Sequence, residues 1–406
     1  MTRTLQANEL RQGKILVRVP NWVGDAVLCL PALRALRGAL PETEMVLLAR
    51  PWVRDVLPEK ELGVRVIPYS ANGLFGGQHG GVRGRLRMAS QLRQEKFGAA
   101  ILFQNALDAA LISWLAGIPV RAGYARQGRG ALLTHPIPRP RKNDGLGHEA
   151  HHYLELLRRL GLIDPFPVVE RIALPTSEAA RTSARTQLCE RIEKEAGHPA
   201  YRIADAGPLV GISPGATFGT AKRWPARRFA ELASALSKEA GATCVYFGSP
   251  MERDMAEEVM ALANVPAISL AGKTSLAQFI ELIQGCDLFV TNDTGTMHVA
   301  AALSVPILAI FGPTNEQETA PLGPSVKVVT GEAYCRPCKL RHCPIDHRCM
   351  TSVTVKRVLR AALPMLSARI GPPQGMASAA ASPPSFERDR IQRAVPERSE
   401  KTVNDA

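Results

Sequence analysis

The chain has 406 residues, a formal net charge of +13 and 46 % hydrophobic residues, enough for two domains of ordinary size around a large core. A basic balance points to anionic partners: a nucleotide, a phosphate, a nucleic acid or an anionic membrane face. Only 5 % of the residues are aromatic and no stacking motif is present, which argues against a nucleic-acid reader.

The polar stretch Met1–Lys14 holds no apolar run of the secretory kind. "KILVRV" then reads as a strand, and "NWVGD" leads into the helical pattern "PALRALRGAL". "EMVLLAR", "VRVIPY" and "AAILFQ" follow as strands, with "PWVRDVL", "DAALISWLAGI" and "HHYLELLRRLGL" as helices. Strands this apolar, separated by helices, predict a parallel sheet covered on both faces. Two segments, Ala71–Arg87 and Tyr124–His148, are rich in Gly, Arg or Pro and read as surface loops.

Prolines between Ile163 and Thr176 suggest an interdomain connection, after which the alternation restarts. "PLVGISPG", "ATCVYFGS", "AISLAG", "LFVTND" and "PILAIFG" read as strands. "RRFAELASALSKEAG", "ERDMAEEVMALA", "LAQFIELIQGC" and "GTMHVAAALS" read as the helices between them, a second doubly wound α/β unit. The most apolar run, Val299–Gly312, is shorter than the ~20 residues a membrane span needs, and Pro306 interrupts it. "TVKRVLRAALPML" is a last helix, and residues 369–406 lack an apolar period and are expected to be disordered. The expected organisation is an α/β chain with one Rossmann-like domain over residues 1–170, a second over 171–350, a helix over 351–368 and a tail.

Ligands of such sheets bind outside the carboxyl ends of the strands, so the loops there carry the candidates. In "SPGATFGTAKRWP", Lys222 stands just before a helix that opens at Pro225, an arrangement suited to phosphate. In "TNDTGTMH", Asp293, Thr294, Gly295 and His298 bring a carboxylate, a hydroxyl, backbone amides and an imidazole to one strand end. "FGSPMERD" adds Glu252, an acid suited to a ribose diol. Asp25, at the mouth of the first helix, is either a helix N-cap or a base facing a cleft. Four scattered cysteines read as buried apolar residues. Cys335, Cys338, Cys343 and Cys349, with His342 and His347 interleaved, could supply a structural zinc; reduced buried thiols or a disulfide are the alternatives.

Taken together, "NWVGDAVLCLPAL", "SPGATFGTAKRWP", "TNDTGTMHVAAAL" and "FGPTN" resemble glycosyltransferase family 9, the ADP-heptose:lipopolysaccharide heptosyltransferases. "AKRWP" and "CRPCKLRHCPIDHRCM" are similar to its heptosyltransferase II branch. The resemblance spans about Lys14 to Leu366. It implies a GT-B fold, with the acceptor on the N-terminal domain and the ADP-sugar on the C-terminal one. The implied reaction is inverting transfer of heptose from ADP-heptose to heptose I of the lipopolysaccharide inner core (heptose I–Kdo–lipid A).

The same resemblance implies Asp25 as the catalytic acid or base residue and Lys222 as the diphosphate lysine. Asp293, Thr294, Gly295 and His298 fall at the diphosphate and heptose, Glu252 at the ribose, Thr274 or Ser275 near the adenine, and Thr217 in the phosphate loop. No cofactor is required, since ADP-heptose is a substrate, and no D-x-D metal motif is apparent. The implied location is cytoplasmic, in peripheral contact with the anionic inner leaflet, and no nucleic acid is expected as a partner. A different donor or acceptor within the family, and a non-catalytic sugar- or nucleic-acid-binding protein, are the rival readings. Removal of residues 369–406 should leave folding and transfer intact; a large drop in the melting midpoint of the truncated chain would contradict this.

Overall fold

The structure is a computed structural model that describes residues 13–70, 81–140, 146–164, 168–196 and 207–370. The expected tail, 369–406, lies almost wholly outside the described residues. Two six-stranded sheets carry the fold. The first comprises β1 (Lys14–Arg18), β2 (Glu44–Ala49), β3 (Arg65–Pro68), β4 (Ala99–Leu102), β5 (Val120–Tyr124) and β6 (His135–Ile137) in the order 3-2-1-4-5-6. The second comprises β7 (Leu209–Ser213), β8 (Thr243–Tyr246), β9 (Ala267–Ser269), β10 (Leu288–Asn292), β11 (Ile307–Phe311) and β12 (Val326–Thr330) in the order 12-11-10-7-8-9.

Every pairing is parallel, and both sheets have the doubly wound order. The central strands β4, β7, β10 and β11 are buried at every position, as covering a sheet on both faces requires. In each sheet the winding direction reverses beside the first strand. Ligand crevices therefore open at the carboxyl ends of β1 and β4 and of β7 and β10.

Several segments differ from the sequence reading. The Gly- and Arg-rich segment is helical from Gly81 to Gln94, because Gly84, Met88, Ala89 and Leu92 form a buried stripe; residues 71–80 lie outside the described ones. The segment Tyr124–His148 contains a 3-10 turn at Arg129–Leu132 and the edge strand β6, anchored by the wholly buried Arg129. Helix Glu178–Ala196 went unread because its apolar positions are sparse: Ala184, Leu188, Cys189 and Ile192 are buried along a mostly polar helix. The strands β5 and β12 also went unread, being short and interrupted by Arg121 and Lys327.

Elements of the two sheets meet closely. Helix Val23–Leu28, after β1, abuts helix Gly295–Ala302, after β10. A methyl group built on Gly24 would lie 2.9 Å from Cδ2 of His298 and 3.2 Å from Cα of Gly295. Further ties cross at Leu174 N–H to Ala302 O (2.8 Å) and at His148. Nδ1 of His148 accepts from the Ala150 N–H, so its Nε2–H donates to Ala320 O (2.8 Å).

Alanine within a helix is normally favoured over glycine by about 1 kcal/mol. Gly24→Ala should do the opposite here, losing ~1–3 kcal/mol to overpacking and lowering the melting midpoint. An unchanged or raised midpoint would show slack between the two helices.

Candidate active site

Asp25 is the third residue of helix Val23–Leu28; the capping position is Trp22, and no side chain caps the helix. The N-cap alternative for Asp25 is thereby overturned: the chain enters the helix two residues too early for it. Among the described residues its carboxylate takes part in no hydrogen bond or ion pair. Burial pushes the Asp25 carboxyl up to about 6, Glu149 adds to the rise, and the Lys222 ammonium from the other sheet's loop opposes it. A half-buried carboxylate with free lone pairs and a value near neutrality is suited to accepting a proton.

Lys222 closes a 3-10 turn after β7. Its Nζ lies 2.6 Å from Oδ2 of Asp293, and the Thr314 hydroxyl donates to the same oxygen at 2.6 Å. The ammonium also sits 5.0 Å from the centre of the half-exposed Phe218 ring, whose other contact is the Arg341 guanidinium at 5.1 Å. An ammonium has three donors, so the pair with Asp293 orients Lys222 and leaves protons for another anion.

Asn292, wholly buried at the end of β10, fixes this loop. Its Nδ2 donates to the carbonyls of Pro214 (2.7 Å) and Gly215 (3.2 Å), and its Oδ1 accepts from the Trp224 N–H (3.0 Å).

Glu252 is buried against the same loop. The Ser249 amide and hydroxyl donate to Oε2 at 2.9 and 2.8 Å, and Thr217 reaches Oε1 at 3.5 Å. Only glycine fits at 215, because a Cβ there would overlap the Glu252 carboxyl group. Glu252 thus has one oxygen engaged in a capping box and one largely free. Ser275 is committed to capping helix Leu276–Leu282, and Thr274 donates weakly to Leu270 O at 3.4 Å. These two contribute to the loop after β9, which packs on the Glu252 loop through Gly248 and Ala271.

Thr294 caps helix Gly295–Ala302 by position, without a side-chain bond. His298 lies one turn in, with its ring against Gly24. Burial drives the His298 imidazole down to about 4, against the pull of Asp293, so it is neutral at physiological pH. Its Nδ1 and the Thr296 hydroxyl are buried with no hydrogen-bond partner among the described residues. The structure therefore gathers Asp25, Lys222, Asp293, Thr294, Gly295 and His298 around the meeting of the two helices. Thr217 and Glu252 form a second group along the β7 and β8 loops.

The cysteine-rich segment lies over the Lys222 loop. The Arg341 carbonyl accepts from the Ala221 N–H (3.1 Å), and Thr220 Oγ1 meets Nδ1 of His342 at 3.2 Å. Cys349 is buried and Cys338 exposed, all four thiols are free, and the His347 N–H donates to Sγ of Cys343 at 3.3 Å. Among the described residues no group of three or more His, Cys, Asp or Glu side chains converges as a metal site.

Residues 85–348 match glycosyltransferase family 9 (heptosyltransferase). The chain belongs to that family. This family 9 enzyme is 31 % identical to lipopolysaccharide heptosyltransferase 2 of Salmonella typhimurium over 87 % of its own length and 99 % of the relative's. With the Escherichia coli enzyme of the same name it shares 30 % identity, over 85 % of its own length and 96 % of the relative's. The solved structure of E. coli ADP-heptose LPS heptosyltransferase II superposes with a TM-score of 0.69 at 28 % identity, covering 87 % of this chain and 98 % of that one. The family 9 chain is thus a glycosyltransferase with the two-sheet α/β fold of the heptosyltransferases.

Sequence reasoning on this family 9 chain missed Glu149, Asn292, Thr314 and Phe218. Asn292 at the end of an apolar strand and Thr314 in the polar loop "FGPTN" carried a local signal; Glu149 and Phe218 carried none. Removing the Lys222 ammonium also strands Asp293 as a buried, unpaired acid. Lys222→Ala should therefore weaken ADP binding ~10-fold or more, the scale of a lost hydrogen bond to a charged group, while the chain still folds. Calorimetric titration with ADP reads the effect, and unchanged affinity in a folded variant rules the role out.

Proposed function

We propose that the chain transfers L-glycero-D-manno-heptose from ADP-heptose to heptose I of the lipopolysaccharide inner core, with inversion at the sugar. The observation that carries this reading is the Gly24–Gly295 approach, which sets a raised-pKa carboxylate on one sheet opposite a lysine and a helix N-terminus on the other. The relatives, lipopolysaccharide heptosyltransferase 2 and an ADP-heptose LPS heptosyltransferase II, support these donor and acceptor classes.

In the proposed step an acceptor hydroxyl gives its proton to Asp25 as its oxygen attacks the anomeric carbon. The bond from that carbon to the diphosphate oxygen breaks on the opposite face, and its electron pair leaves with ADP. Lys222 and the amides at Thr294–Thr296 stabilise the departing charge. Asp293 holds Lys222 in place with one oxygen and offers the other to a sugar hydroxyl. Glu252, with Thr217 beside it, has a free acceptor for the ribose, and the loop at Thr274 and Ser275 borders the base. Neutral His298 fills the floor between the halves without adding charge.

No described helix is long and apolar enough to cross a membrane. Helix Gly81–Gln94 exposes Val82 and Leu86 among Arg83 and Arg87, and the neighbouring helix Leu107–Leu115 exposes Leu107 and Trp114. A basic face with apolar and aromatic tips supports peripheral contact with an anionic leaflet from the cytoplasmic side. A family member with another donor or acceptor is the alternative; a panel of nucleotide sugars, scored by release of the nucleotide diphosphate with a heptose-I-terminated core, separates the two.

Asp25→Asn tests the base. Turnover should fall by ~10²-fold or more with ADP affinity retained, and in the wild type the rate should decline as pH drops through about 6. Stability gives an independent sign. The folded-state value lies above the ordinary carboxyl value, so the contribution is full below the ordinary value and lost as pH rises through about 6. The uncharged variant should therefore melt ~2 °C or more above the wild type at pH 8, with little difference near pH 4. Near-normal turnover in Asp25→Asn sinks the proposed role.

A further inference from the structure

A second charged crevice opens at the carboxyl ends of β1, β2 and β4, on the half that carries Asp25. It is a cavity of about 120 Å³ whose lining includes Arg18, Asn21, Arg50, Arg85, Gln104 and Asp108. One buried water takes about 10–15 Å³ by such a measure, so a phosphate- or carboxylate-sized group fits.

Three guanidinium groups face one carboxylate here. Arg85 is paired with Asp108, and Tyr69 donates to the other oxygen of Asp108 at 2.7 Å. Arg18 and Arg50, 2 % and 9 % exposed, have no carboxylate in ion-pair range among the described residues. They are held by neutral acceptors. Arg18 donates to the Val19 and Leu48 carbonyls (2.9 Å each) and to Asn21 Oδ1 (2.6 Å). Arg50 donates to the same Asn21 oxygen at 3.3 Å and to Tyr69 O at 3.4 Å. The Arg18 and Arg50 guanidinium groups each lie 5.2 Å from the Tyr69 ring centre, and Trp52 stacks on Arg50 at 5.4 Å.

Burying like charges without a counter-charge is costly. Burial and the neighbouring Arg50 drive the Arg18 guanidinium down to about 10, a value at which it is still charged. A well-ordered excess of positive charge around an open cavity is the form an anion subsite takes. The place is informative as well. The crevice lies at the winding reversal of the first sheet, and Asn21 precedes Asp25 by four residues on the same turn.

We propose that Arg18, Arg50 and Arg85 form an oxyanion subsite that grips a phosphate or carboxylate carried by the acceptor, and so aligns the acceptor hydroxyl with Asp25. The proposal rests on the assignment of this half to the acceptor. Arg18 and Arg85 are braced by the fold, whereas the weakly bonded Arg50 turns its fork to the ligand.

The test uses the full chain and has two arms. In the first, inorganic phosphate is titrated at constant ionic strength while the melting midpoint is followed. The phosphate-dependent rise should persist in Lys222→Ala, which lacks the diphosphate lysine, and should be lost in Arg50→Gln. A rise that survives in Arg50→Gln, or vanishes in Lys222→Ala, overturns the subsite. Should Arg50→Gln not fold, Arg50→Lys carries the same test: it keeps the charge without the fork, and the rise should shrink by more than half.

The second arm measures ADP release with a heptose-I-terminated core lipid, with that lipid after phosphatase treatment, and with its carboxylates methylated. Arg50→Gln should raise the acceptor KM ~10-fold or more, the scale of a lost charged hydrogen bond, and leave the ADP-heptose KM unchanged. The penalty should disappear with whichever acceptor lacks its oxyanion, which identifies the group. An equal penalty with all three acceptors, or none with any, overturns the proposal. No transfer by the wild type would refute the proposed function, while the phosphate arm would still decide the subsite.

Discussion

The site depends on how closely two helices can approach. Gly24 and Gly295 stand where the helix after β1 meets the helix after β10, and a methyl group on either would press into the other's backbone. That contact buries Asp25 under the opposite half and brings it within reach of the Lys222 field. It also packs His298 against Gly24 and strips the imidazole of water, which keeps it uncharged. One spacing thus sets the protonation of two groups on different sheets. A wider gap would rehydrate Asp25 and return it toward the ordinary carboxyl range.

In the loop after β7, neutral hydrogen bonds do much of the positioning and leave charged groups with open capacity. Asn292 spends three of its four bonds on backbone groups of the loop after β7. The Lys222 ammonium and one Asp293 oxygen are mutually satisfied, yet each retains capacity on its open side. The crevice of the first sheet follows the same pattern: carbonyls and Asn21 hold Arg18 and Arg50, and Asp108 is engaged by Arg85 and Tyr69. In both crevices most of these side chains are held in place by the protein itself, the weakly bonded Arg50 excepted.

Much of the architecture was legible because a buried parallel strand is uniformly apolar. β1, β7, β10 and β11 stood out from their runs of Val, Ile and Leu, and the loops following them carried Asp25, Lys222 and Asp293. What escaped had weaker local patterning. Helix Glu178–Ala196 hides its buried stripe in a polar sequence, β12 carries Lys327, and helix Gly81–Gln94 opens with the glycines and arginines of a loop. At the site, polar residue type and position after a strand were readable, but partnership was not. Asp25 sits at the third helical position and not at the cap, because Trp22 begins the helix. Glu149 acts on it from more than 120 residues away, and Thr314 acts on Asp293 from the next strand loop. Such couplings arise from tertiary packing, which leaves no period in the sequence. The cysteine spacing left a structural zinc, reduced thiols and a disulfide open, and gave no sign that the segment's backbone covers residues 219–221.

That cover has a consequence for the order in which the chain becomes competent. The first sheet closes at Ile137, and everything lining the arginine crevice has been made before the second sheet begins. The Lys222 loop is different: Asn292 fastens it from 68 residues downstream of Trp224, and the Arg341 carbonyl caps it at Ala221 later still. On a ribosome extruding the chain from its N-terminus, the first sheet can fold early. The second sheet's Lys222 loop stays unfinished until the segment that covers it emerges. The groups around Lys222 therefore come together only after the chain has passed Arg341.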